Sequence, residues 1–247
     1  MKKILSIISM LALGATAASA ADLAPRYTKA PPPIMAAVYD WSGFYIGGNA
    51  GFGSGRDCRT DANTRVFLGC YDPQGAVAGG QVGYRWQYMS NWVFGVEAMG
   101  DWADLHGSTQ NLTTPANRLA SRLDAFGLFT GQIGYAWNNV LFYAKGGAAV
   151  VDQRFDFISN VTNTAIATTG YGTRWGGTVG AGVEYGFAPN WSVAFEYDHI
   201  FLGHHNANFN FTATGLPLAD PYRTGGDVDM GMVKVNYRFG GPIVARY

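Results

Sequence analysis

The chain has 247 residues with 17 Lys plus Arg against 17 Asp plus Glu, so no basic excess points to nucleic acid as a partner. Charged residues make up 14%, against about a quarter in ordinary soluble domains, while aromatics reach 15% and Gly numbers 34. No stretch beyond the N-terminus holds 18 consecutive apolar residues, which excludes a transmembrane helix and leaves strands as the way to cross a bilayer.

Lys2 and Lys3 open the chain, followed by an apolar run of about eleven residues from Ile4 to Gly14 and the small residues Ala18-Ser19-Ala20. This is the pattern of a secretory signal peptide over 1–20, with the mature chain starting at Ala21. Removing the leader takes Lys2 and Lys3 with it and leaves a slight acidic excess. Residues 21–40 carry Pro25, Pro31, Pro32 and Pro33 with little hydrophobic pattern, and read as an extended polyproline-type periplasmic linker. The remainder, 41–247, suits one all-β domain.

From Trp41 onward eight segments alternate apolar and polar residues: 42–54, 76–88, 92–103, 121–137, 140–151, 173–187, 191–201 and 228–239. In Trp175–Phe187, for example, Trp175, Val179, Ala181, Val183, Tyr185 and Phe187 share one face and Glu184 lies on the other. Such a strand fits a sandwich with an aromatic core, or an outer-membrane barrel whose aromatic face meets lipid. The connections decide between them. Met89-Ser90-Asn91, Asn138-Asn139 and Ala188-Pro189-Asn190 are tight turns, while the gaps 55–75, 104–120, 152–172 and 202–227 are long and polar. Short and long connections alternate throughout, as in an up-and-down barrel with periplasmic turns and surface loops.

Aromatics agree. Phe44, Trp86, Trp92, Trp137, Phe142, Phe187, Trp191 and Phe239 supply one outward ring per strand beside the short turns, an inner girdle. Phe52, Trp102, Trp175 and Phe201 supply an outer one. A sandwich would gather large aromatics in mid-core. The expected fold is therefore all-β: an eight-stranded antiparallel up-and-down transmembrane β-barrel of the outer membrane.

With the aromatic face on lipid, the inward face carries Arg85, Glu97, Asp101, Arg122, Asp124, Lys145, Arg174, Glu184, Glu196, Asp198, Lys234 and Arg238, six acids and six bases. Eight strands enclose an interior just wide enough for side chains, and equal numbers allow pairing. The expected lumen is ion-paired and largely plugged. Cys58 and Cys70, twelve apart in a loop of an exported chain, are expected to form a disulfide; no His lies in this loop to complete a metal site.

The stretch YDWSGFYIGGNAGFG (39–53), with the proline-rich segment after ADLA, resembles the alpha-proteobacterial outer-membrane surface-antigen family of small barrels, which includes immunogenic and hemin-binding proteins. GQVGYRWQ (80–87), GQIGYAW (131–137) and VKVNYRFGGPIVARY (233–247) are similar to its strands and tail. The resemblance spans essentially the whole mature chain. It implies the barrel fold, outer-membrane lipid and the barrel-insertion machinery as partners, and loops that carry whatever specificity exists. Either Phe239 or the terminal Tyr247 serves as the aromatic insertion signal.

Four candidate chemistries follow. The resemblance to hemin-binding members draws attention to His204 and His205, near Phe201, Phe209, Phe211 and Tyr222, with Arg223 placed to pair a propionate. The alternative is two loop histidines without a ligand, in which case no cofactor is required. Asp101, Asp104 and His106, or Glu196, Asp198 and His199, are the nearest approach to acid–base clusters. Ser54, Ser108, Ser121 and Ser159 sit at a similar level, but no nucleophile motif accompanies them and no catalytic residue is assigned. Glycine patterns such as Gly47–Gly53 fall within strands, without the helix that phosphate binding needs. A small solute channel is the remaining reading, and a plugged lumen opposes it. The expected role is a surface protein for envelope integrity and interaction, including with host surface molecules.

Overall fold

A computed structural model describes residues 39–240 except 113 and 219–221. The expected signal peptide, most of the expected linker and the tail with Tyr247 lie outside the described residues. Eight long strands and two short ones are present among those described: β1 Gly43–Asp61, β2 Phe67–Tyr71, β3 Gln74–Tyr88, β4 Trp92–Gln110, β5 Asn117–Trp137, β6 Val140–Ser159, β7 Ala165–Ala188, β8 Trp191–Ala207, β9 Asn210–Phe211 and β10 Tyr222–Phe239. All neighbours pair antiparallel, and β10 closes on β1 from Phe44↔Phe239 to Asp61↔Tyr222. β1, β3 to β8 and β10 form the ring; β2 folds back on β1, and β9 pairs with β7.

The short-turn ends fall within one residue of the expected boundaries, because sharp breaks in alternation mark them. Met89 and Ser90 turn with φ of 49° and 66°, and Asn138 with 53°, a conformation that Asn tolerates best. At the other rim the strands run further than expected: β1 continues to Asp61, β6 to Ser159, and β7 begins at Ala165. The long polar gaps are therefore largely strand. Above the lipid the outward face has no reason to be apolar, so alternation fades while pairing continues.

All eight residues expected in the inner girdle are exposed on the outer wall, as are Phe52, Trp102, Trp175 and Phe201. Inward, two glycines make room for the lumen. A Cβ on Gly83 would lie 2.5 Å from the Tyr45 ring, and one on Gly182 would lie 2.6 Å from Tyr143. A Cβ on Gly100 or Gly131, by contrast, would meet no atom within 4 Å. Gly83→Val and Gly182→Val should each cost about 1–3 kcal/mol by overpacking, read from urea unfolding of the refolded protein. Gly100→Val and Gly131→Val should stay close to wild type.

Candidate functional site

The bore is filled in layers. At the short-turn end Tyr39 and Trp41, from the segment before β1, pack with Val93, Ala136, Leu141 and Tyr143. The sequence pattern assigns Tyr39 and Asp40 to the linker. Tyr39 instead lies buried in the barrel mouth, its ring against Gly186 and under the Arg238 guanidinium at 5.4 Å.

Above this mouth lie the charges. Arg85 pairs with Glu184 at 2.8 Å and stacks over Tyr45 at 4.4 Å. Ser192 and Asn236 also donate to Glu184, Asn236 at 3.0 Å. Next comes a four-membered ring: Lys145 reaches Glu97 at 3.4 Å and Glu196 at 2.5 Å, and Lys234 reaches the same two carboxylates at 2.9 and 2.5 Å. Asp198 joins Lys145 at 3.1 Å. The Tyr45 and Tyr143 hydroxyls donate to Glu97 and Glu196 at 2.8 and 2.5 Å. Arg238 donates to the carbonyls of Ser42 and Pro189 at 3.1 and 3.0 Å, tying the last strand to the rim. Burial of one charge without a partner would be costly, and each of these ammonium and guanidinium groups has partners. Asp101 is buried above the ring.

A third layer is apolar, with Val77, Met99, Leu105, Phe126, Leu128, Ile200 and Met230 among its members. The bore is thus closed by hydrophobic packing as well as by the expected ion pairs. Over it Asp57 accepts from Thr224 at 2.8 Å and from Gln153 at 3.3 Å, and Arg174 donates to Gln153 at 3.0 Å. The uppermost layer surrounds Arg59, which is wholly buried. Its guanidinium lies 4.7 Å from the Phe155 ring centre and 5.6 Å from that of Phe209, and it donates to the Ala120 carbonyl at 2.8 Å. Leu68, Leu119, Phe157 and Ala167 complete this cluster.

Ten of the twelve charges expected inside are there. Arg122 and Asp124 are not. The β5 register slips between Leu123 and Ala125, and the extra residue turns every earlier side chain to the other face. Arg122 therefore lies outside, 3.1 Å from Asp124 and 3.5 Å from Asp104. Asp57 and Arg59 are inside, in a stretch whose composition suggests a loop. The only signal is the period of two continuing past Gly53 and Gly55, obscured by glycines that show no polarity.

Cys58 and Cys70 are direct cross-strand partners of β1 and β2, joined by a disulfide with their Cα atoms 4.1 Å apart. The candidate acid–base sets come apart. Asp101 points into the bore whereas Asp104 and His106 are exposed outside. Glu196 and Asp198 are buried, while His199 on the opposite face binds Asp229 at 2.6 Å.

At the rim away from the short turns, Thr60 of β1 lies opposite Arg223 of β10, and Arg223 opposite Asn206 of β8. Direct partners share a face, so these side chains form one outward row. His204 stands two residues along β8. With Asp61 and Arg65 they line a hollow of about 810 Å³. Asp61 Oδ1 accepts the backbone N–H groups of Thr64 and Asn63 at 2.7 and 2.9 Å, and these bonds hold its carboxyl below the usual range. The structure thus brings His204 and Arg223 together. The His205 backbone pairs with Thr224, and its side chain lies outside what is described. Phe209 is buried against Phe157 and Tyr222, so these rings belong to the upper core and do not line the hollow.

The chain is similar to known proteins of the outer membrane. The 31 kDa outer-membrane immunogenic protein of Brucella melitensis is 30% identical over 214 residues, covering 81% of this chain and 87% of that protein. The 22 kDa outer membrane protein of Rhizobium leguminosarum bv. viciae is 32% identical over 159 residues, covering 64% of this chain and 62% of that protein. Among solved structures, the outer membrane protein OprG of Pseudomonas aeruginosa aligns with a TM-score of 0.49 and 13% identity, over 80% of this chain and 97% of that one. The outer membrane protease OmpT of Escherichia coli aligns with a TM-score of 0.44 and 8% identity, over 80% and 97%. The family model described as outer membrane protein beta-barrel domain matches residues 8–239, and the chain belongs to that family of outer-membrane barrels.

Proposed function

We propose that this protein is a non-conducting, non-enzymatic surface barrel that contributes to envelope integrity and presents its extracellular rim to the surroundings. The observation that carries this reading is the filled bore, in which ionic and apolar layers alternate from Trp41 to Arg59. A solute path would have to displace both kinds of layer at once. The dispersal of the carboxylate and imidazole sets supports the non-enzymatic part. The printed name of the Brucella relative, an immunogenic outer-membrane protein, supports surface display. Outer-membrane lipid is the partner of the aromatic bands. Phe239, which ends β10 beside Phe44 at 5.7 Å, is the aromatic offered to the insertion machinery.

Planar-bilayer recording tests the closed lumen. Wild-type protein should give no stable unitary conductance steps under voltage. Reproducible steps of uniform size would overturn the reading in favour of a small solute channel.

Hemin capture is a second reading, favoured by the convergence of His204 and Arg223 on one hollow. It is weakened by the burial of Phe209, which leaves that ring unable to cover a porphyrin. Titration of hemin into the refolded protein, followed at the Soret band beside His204→Ala/His205→Ala, separates the two. Saturable binding lost in the double variant supports hemin; its absence leaves the surface-barrel reading alone.

A further inference from the structure

The rim hollow has a chemistry of its own. Its volume lies within the range of about 300–1,000 Å³ typical of small-molecule sites, yet no Phe, Tyr or Trp among the described residues lines it. A flat apolar ligand finds only the small His204 imidazole to stack on. What it offers instead is two guanidinium groups, Arg65 and Arg223, an imidazole from His204, and the hydroxyl, carboxylate and amide of Thr60, Asp61 and Asn206. Among the described residues, no carboxylate pairs with Arg65 or Arg223. Guanidinium forks match tetrahedral oxyanions two bonds at a time. The neutral and acidic groups beside them suit hydroxyls, which both donate and accept.

Position adds to this. Thr60 lies eight residues beyond Phe52 of the outer aromatic band, on the same face of β1. At about 3.4 Å per residue and a tilt near 40°, the hollow stands about 20 Å above that band and faces sideways. It is out of the lipid and turned toward whatever surrounds the barrel at the cell surface.

We propose that this hollow binds a saccharide carrying phosphate or sulfate, with Arg65 and Arg223 holding the anionic group and Thr60, Asp61 and Asn206 meeting the sugar hydroxyls. His204 adds a further donor to the anion. The assignment rests on the reading of this rim as cell-exposed, and goes beyond it by naming a ligand class. The ligand is either the headgroup sugar of a neighbouring outer-leaflet glycolipid or a free saccharide, which share this chemistry.

The test is calorimetric titration of the full refolded protein in detergent with a sulfated heparin disaccharide and, separately, with maltose. Wild type should bind the sulfated sugar saturably and at least tenfold more tightly than maltose. Arg65→Gln/Arg223→Gln should lose at least tenfold, with unheated gel mobility checking that the barrel is intact. Arg56→Gln, an exposed cation that pairs with Asp72 outside the hollow, should bind as wild type does. No saturable binding by wild type, equal binding by the double variant, or an equal loss in Arg56→Gln would overturn the proposal. Repeating the titration in phospholipid vesicles with and without lipopolysaccharide identifies the source. Inhibition assigns the membrane glycolipid, and unchanged affinity assigns a free saccharide. None of these readouts depends on conductance, so either reading can fail while the other stands.

Discussion

Lys145→Met should destabilise the barrel by about 3–5 kcal/mol, because it leaves buried carboxylates without their cation. Lys145 touches Glu97, Glu196 and Asp198, and its side chain is wholly shielded from solvent. After the substitution Lys234 alone faces Glu97 and Glu196, and Asp198 loses its only ion pair among the described residues. The methionine fills much of the volume, so the loss is chiefly electrostatic. Urea unfolding of the protein refolded into vesicles, followed by tryptophan fluorescence, reads the effect. Lys145→Met/Glu196→Gln removes a charge of each sign and should recover part of the loss, a coupling that a double-mutant cycle isolates. A shift below about 1 kcal/mol in the single variant would mean that water or protons already compensate these carboxylates, and the ionic layer would lose its role.

Val96→Arg should cost about 2–4 kcal/mol in the same vesicle assay, the penalty for a cation facing lipid near mid-membrane. Val96 is exposed on β4 between Trp92 of the inner aromatic band and Trp102 of the outer one. Ser108→Arg supplies the contrast, being on the same strand but beyond Trp102. It should be nearly neutral. Equal penalties at both positions would place Ser108 in lipid and move the membrane boundary upward. Equal neutrality would remove Val96 from the lipid band.

Alternation makes the membrane-spanning part of this fold legible because lipid imposes one chemistry on every second residue. All three short turns and both aromatic bands follow from it. Legibility stops where that solvent stops. Beyond Ser54 the outward residues of β1 include Arg56 and Thr60, and the inward Asp57 and Arg59 resemble loop residues until their cage of rings is seen. Arg122 and Asp124 are misplaced by one inserted residue, which a period of two cannot register. At the rim, composition brings His204 and Arg223 into consideration, but not the polar row in which pairing sets them. Of the aromatics near them in sequence, Phe209 and Tyr222 satisfy the upper core, while Phe201 and Phe211 are exposed. Tyr39 sits beside a proline-rich stretch, and nothing in its neighbours signals that the barrel mouth needs a lid.

The cluster of Leu68, Leu119, Phe155, Phe157, Ala167 and Phe209 has a bearing on how such a surface changes over generations. It gives the end away from the short turns a core of the kind a water-soluble protein uses, so that side chains in alternation serve two separate demands. Inward positions are constrained by packing; outward ones such as Arg56, Thr60, Asn206 and Arg223 answer only to the outside. Substitution can then rewrite what the surroundings meet, one row at a time, while the scaffold beneath is inherited intact. The diversity of such a surface would be carried by point changes on rigid strands more than by the lengthening of loops.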